Sequence, residues 1–168
     1  MGTGTPLPLS PYEMQLARDS IQHEFQNLTA AFQVTSWPNQ NYNCIAWAAD
    51  DFTQWWWPDA DGESFWPAGV PRLERLDAFI TAFETIGYEP CATHEIEPGY
   101  EKVAIYTLGD SPKHMAKQLP SGAWSSKLGE WWDIGHNLLE EVRVAHYGSP
   151  RQILRRRTLS LATIPTHT

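Results

Sequence analysis

Thiols are the strongest nucleophiles that a protein carries near neutral pH, and this chain has two, Cys44 and Cys91. Cys44 lies in "NQNYNCIAWAADDFTQWWWPD", residues 39–59, between an asparagine-rich turn and three consecutive tryptophans. The run from Cys44 reads as a short helix, which puts the cysteine at or next to a helix start. Unpaired backbone N–H groups and the helix dipole favour a thiolate there. An imidazole nearby would complete the activation by taking the thiol proton. The candidates are His94, His114, His136 and His146, and His114 is the best placed because it opens a β-prone run. Ser125 or Lys127, or else Asn137 or Asp133, would orient that imidazole. The competing reading of Cys44 is a small buried hydrophobe, the commonest role of a free cysteine. Cys91, just after the Gly87–Pro90 turn, reads as structural.

The elements around these residues divide the chain in two. "SPYE" at Ser10–Glu13 has capping-box spacing with Pro11 at the first helical position, so a helix is expected through "MQLARDSIQHEFQNLTAAF". "CIAWAADDFTQWW" is the second helix, and "RLERLDAFITAFETIG" the third, with Leu73, Leu76, Phe79, Ile80 and Phe83 at helical spacing and Gly87 at its end. Then the period changes. "EKVAIYTL", "KHMAKQLP" and "GAWSSKLG" are short β-prone runs separated by "GDSP" and "PSG", the pattern of an antiparallel meander. "DIGHNLLEEVRVA" reads as a last helix and "QILRRR" as an edge strand. Helices first and sheet second is an α+β order. One domain over residues 10–157 is expected, with a flexible lead over 1–9 and a flexible tail over 158–168.

Composition narrows the function classes. The chain has 168 residues, enough for one domain with its own core. Its net charge of −8 repels phosphate backbones, so no nucleic-acid partner is expected, and the basic "RQILRRR" reads as a solvated strand end. No apolar run suggests a membrane span, and the N-terminus lacks the layout of a signal peptide. A cytoplasmic protein, or one secreted without a classical signal peptide, is expected. Metal-ligand spacing, a phosphate loop and a calcium loop are all missing, so no cofactor or metal is expected. Nine tryptophans are many for this length. Trp55, Trp56 and Trp57 cannot all point inward from one element, so at least one is expected to be exposed or to cover a cleft.

A cysteine opening a helix, followed much later by a histidine opening a strand of an antiparallel meander, resembles the papain-like fold. Within it, "NCIAW" at Asn43–Trp47 and "HMAKQLPSGAWSSK" from His114 are similar to compact NlpC-type and cysteine–histidine amidohydrolase/peptidase domains. "EKVAIYTLG" and "DIGH" also resemble a family of uncharacterised bacterial domains. The resemblance spans roughly residues 37–157. It implies helices packed on a small antiparallel sheet. Pro38 stands where such peptidases carry an oxyanion glutamine, and Gln40 or Asn41 would supply the amide instead.

Two functions follow as expectations. The first is a cysteine-dependent hydrolase or acyltransferase (peptidase, amidase or deamidase) that uses a Cys44–His114 dyad, with Ser125 or Asp133 in support. Backbone N–H groups with Asn41, Asn43 or Gln40 would stabilise the oxyanion, and Trp47, Trp55, Trp56, Trp57 and Trp124 would wall the cleft. Its substrate would be a peptide or protein amide. The alternative is a catalytically inactive papain-like scaffold that binds a protein partner through the tryptophan-rich surface.

Overall fold

The structure, a computed structural model, describes residues 9–158. Most of the expected lead and tail therefore lies outside the described residues. The architecture is α+β: three helices and a seven-stranded, wholly antiparallel sheet.

Helix α1 (Pro11–Glu24) opens on the expected capping box. The Ser10 hydroxyl accepts from the Glu13 N–H at 3.2 Å, and the Glu13 carboxylate accepts from the Ser10 N–H at 2.9 Å. The helix was expected to run on to Phe32 but stops at Glu24. Long-range bonds hold the next segment out of the helix. Asn27 donates to the Arg143 carbonyl at 3.1 Å, and buried Glu141 accepts from the backbone and hydroxyl of Thr29. Arg18 donates to the carbonyls of Ala30 and Phe32, each at 2.7 Å, and ties the return strand to α1.

That return strand is β1 (Gln33–Ser36), which the sequence reading missed. Helix α2 (Cys44–Ala48) is one turn long, since Asp50 turns left-handed at φ 60° and ends it. Helix α3 (Leu76–Glu84) buries Leu76, Phe79, Ala82 and Phe83 and is followed by Gly87 at φ 97°. The remaining strands are β2 (Glu89–Cys91), β3 (Tyr100–Leu108), β4 (Ser111–Gln118), β5 (Trp124–Lys127), β6 (Asp133–His136) and β7 (Ser149–Arg157).

The sheet order is β1-β6-β5-β4-β3-β7-β2. Two expectations change here. "DIGH" is strand β6 and not a helix start, because it pairs on both sides, with β1 and β5, and buries Ile134. Only Leu139–Val142 coils, as one 3-10 turn. The "QILRRR" strand is not at the edge either, because short β2 covers its outer side.

Alternation along β3 and β4 divides the core between the two sheet faces. Val103, Ile105 and Met115 pack with Ile45, Phe79 and Phe83 of α2 and α3. Ala104, Tyr106 and Ala116 pack with Ile21, Phe25 and Phe32 of the α1 region. None of the helices among the described residues is long and apolar enough to cross a membrane.

Candidate active site around Cys44

The start of α2 is held by Asn43. Its side-chain oxygen accepts from the Ala46 N–H at 3.0 Å and from the Trp56 N–H at 3.2 Å, while its amide donates to the Trp56 carbonyl at 2.8 Å. One buried side chain thus caps the helix and fastens the tryptophan segment beside it. These bonds engage both lone pairs of the amide oxygen and one of the two amide N–H donors, so Asn43 has a structural role in holding the helix start. Gln40 and Asn41 are exposed. Each acts through its backbone: the Gln40 carbonyl accepts from Trp55 Nε1 at 2.7 Å, and the Asn41 N–H donates to Asn39 at 2.8 Å.

Cys44 lies on a cleft of about 400 Å³ walled by Trp55, Trp57, Tyr147 and Lys113. Of the five tryptophans expected there, the structure brings Trp55 and Trp57. Trp56 is core and donates to Asp51 at 2.9 Å. Trp47 packs between Tyr42 and Phe52, and Trp124 is buried on the α1 side of the sheet. Adjacent residues of a segment face different ways, so the triplet splits into wall, core and wall.

Cys44 is buried, with 8% of the residue exposed. Burial pushes its pKa up, and this outweighs the N–H groups of Met115, Cys44 and Ile45 and the charge of Lys127, which act the other way. The Met115 N–H belongs to the peptide bond that joins His114 to Met115. Helix α2 packs on β4, the strand that carries His114. No hydrogen bond joins the thiol to an imidazole among the described residues.

His114 is fully buried, and a chain of bonds fixes its state. His136 Nδ1 lies 2.9 Å from the Leu138 carbonyl, which only accepts, so Nδ1 carries the proton. His136 Nε2 then accepts from the Ser126 hydroxyl at 2.8 Å. The Ser126 oxygen in turn accepts from His114 Nε2–H at 3.0 Å. Neutral His114 therefore has its lone pair on Nδ1, and that atom is buried without a partner. Burial, with the charges of His136 and His146 adding to it, pushes His114 down to about 3, so it is neutral at physiological pH. Its ring stacks on Tyr147 at 4.2 Å between centroids and 7° between planes, and Tyr147 also lines the Cys44 cleft.

The residue that meets His114 is Ser126 and not Ser125. Ser125 pairs with Gly135 and Lys117 and, by strand alternation, faces the other side. Asp133 is likewise not beside His114. It pairs across strands with Lys127 and accepts from the Ser36 hydroxyl. Buried Lys127 donates to the Gly129 carbonyl, with its ammonium 5.2 Å from the Tyr42 ring. Asn137 is exposed and uses its N–H on Glu141, and His94 is exposed too. Lys113, Tyr147 and Ser126 are site residues that sequence reasoning missed or passed over. The only signal for Ser126 was a hydroxyl at alternate spacing from strand ends, which becomes informative once β4, β5 and β6 are known to be neighbours.

Larger hollows lie elsewhere. One of about 870 Å³ is flanked by Arg155, Arg156 and Arg157, but Arg155 pairs with Glu89 at 3.0 Å and Arg156 with Asp50 at 2.6 Å. Among the described residues no group of three or more His, Cys, Asp or Glu side chains is arranged to hold a metal ion.

A family model described as "Domain of unknown function (DUF7689)" matches residues 33–155. The chain belongs to that family, and the matched stretch holds Cys44, His114, Ser126 and His136. No curated protein and no solved structure matches the chain.

Proposed function

We propose that the protein is a papain-like cysteine hydrolase or acyltransferase acting on an amide bond, with Cys44 as nucleophile and His114 as base. The observation that carries this reading is the unpartnered Nδ1 lone pair of His114, set by the Ser126–His136 relay and carried on β4, the strand on which the Cys44 helix packs. A base needs an open lone pair and a fixed tautomer, and the relay supplies both.

In the proposed reaction the Cys44 sulfur attacks the amide carbonyl carbon, and His114 Nδ1 takes the thiol proton. The C–N bond then breaks, and His114 returns the proton to the leaving amine. A thioester remains, which water or an acceptor amine attacks to release the acyl group and restore the thiol. Backbone N–H groups at the start of α2 stabilise the oxyanion. At rest the thiol and imidazole are not hydrogen-bonded, and catalytic contacts commonly tighten when substrate binds.

A second reading is a scaffold without chemistry that binds a partner through Trp55 and Trp57. The raised pKa of the buried thiol and the lowered pKa of the buried imidazole favour it. Alkylation by iodoacetamide separates the two, with half-buried Cys91 as internal reference. The catalytic reading expects Cys44 to react faster than Cys91 at pH 6–7, where an ordinary thiol is protonated. His114→Gln then abolishes the excess rate. If Cys44 reacts more slowly than Cys91 and His114→Gln changes nothing, the scaffold reading stands.

A further inference from the structure

The polar groups of the Cys44 cleft are unequally engaged. Asn43 commits its oxygen and one of its two amide N–H donors to the helix start and to Trp56. Lys113 is the one charged side chain lining the cleft among its described residues. Its Nζ lies 3.9 Å from the Glu74 carboxylate, at the limit of an ion pair, with about a third of the side chain exposed. Glu74 is itself held by Trp57, whose Nε1–H donates to it at 3.1 Å. The ammonium is therefore placed at the rim by a fixed wall without being fully neutralised. Trp55, Trp57 and Tyr147 give flat aromatic walls, and Ser64 adds a neutral hydroxyl. In a chain of net charge −8, one cation between aromatic walls is a local exception that selects for negative charge.

We propose that this cleft takes a ligand combining an apolar or aromatic group with a carboxylate, the ring seated between Trp55 and Trp57 and the carboxylate paired with Lys113. The proposal rests on the cysteine-hydrolase reading in one respect only: the ligand is taken as the leaving-amine part of the amide that Cys44 attacks, its free carboxylate separate from the carbonyl that reacts. A cleft of about 400 Å³ suits one aromatic residue. The selectivity is that of a half-exposed ion pair, modest and sensitive to salt.

The test uses the full chain carrying Cys44→Ala, so that no chemistry intervenes. N-acetyl-L-phenylalanine is compared with its neutral amide, N-acetyl-L-phenylalaninamide, by quenching of tryptophan fluorescence in low salt. We expect the carboxylate to bind about three- to fivefold more tightly, the difference being worth up to about 1 kcal/mol. Lys113→Gln removes the preference, Lys113→Arg keeps it, and 0.5 M salt reduces it. Equal affinities, a preference for the amide, or no saturable binding of either compound overturns the proposal. Circular dichroism shows whether each variant is folded, and Lys113→Arg separates loss of charge from loss of packing. Alkylation of the wild-type thiol is the separate measure of the nucleophile. Selective binding with an inert thiol sinks the hydrolase reading alone, and a reactive thiol without selectivity sinks this proposal alone.

Discussion

At the scale of single residues the decisive feature is a pair of neutral, buried histidines joined by one hydroxyl. Burial lowers the pKa of both His114 and His136. A group with a depressed folded pKa releases its proton in the native state while the unfolded chain still binds it. Stability is then complete above the unfolded value, about 6.5, and is lost as pH falls toward the folded one. For His114 that window runs from about 6.5 down to about 3. Each histidine contributes a slope of up to about 1.4 kcal/mol per pH unit inside it. Urea midpoints should therefore fall steeply between pH 7 and pH 5, and His114→Phe should flatten that slope. An unchanged slope would mean that the imidazole is protonated in the folded protein.

At the scale of elements, the turn into β7 sets the position of Tyr147, and Tyr147 links the imidazole to the cleft. Gly148 follows it at φ 76°, and a β-carbon there would stand 1.8 Å from the Thr107 carbonyl oxygen. That oxygen is backbone in β3, paired at this point with Ser149, so it cannot move aside without breaking the ladder. Gly148→Ala should destabilise the protein by about 3 kcal/mol or more, combining a left-handed backbone with a backbone clash. Thermal unfolding checks the loss. Gly122→Ala is the control, since it shares the positive φ but its β-carbon would meet nothing within 4 Å. It should cost about 1 kcal/mol. Equal losses in the two variants would show that conformation alone matters.

Across the whole molecule, one sheet serves two packing faces. Trp56 and Trp66 report the α2–α3 side and Trp124 the α1 side. Because β3 and β4 contribute alternate residues to both, neither face can unfold without opening the other. Tryptophan fluorescence and far-ultraviolet circular dichroism should give one coincident urea transition. Separate midpoints would mean that α1 and its cluster form an independent unit.

Local patterns settled a definite part of this protein. Ser10, Pro11 and Glu13 mark the start of α1 because capping is a contact between near neighbours. The apolar spacing of Leu76–Phe83 marks α3, and the β-prone runs at 101–108, 113–120 and 122–129 mark the meander to within a few residues of β3, β4 and β5, because side-chain periodicity is local too. Cys44 at a helix start and His114 in a strand were legible for the same reason. What tertiary structure decided is every relation that crosses the chain. Long-range bonds from Glu141 and Arg143 ended α1 early, and pairing on both sides made "DIGH" a strand. Strand neighbours chose Ser126 over Ser125, brought His136 to the relay, and moved Asp133 to Lys127. The sequence names the residues able to do chemistry, because residue type is written in it. Their partners depend on register and on which face of a shared sheet each side chain takes, and a shift of one position reverses that face.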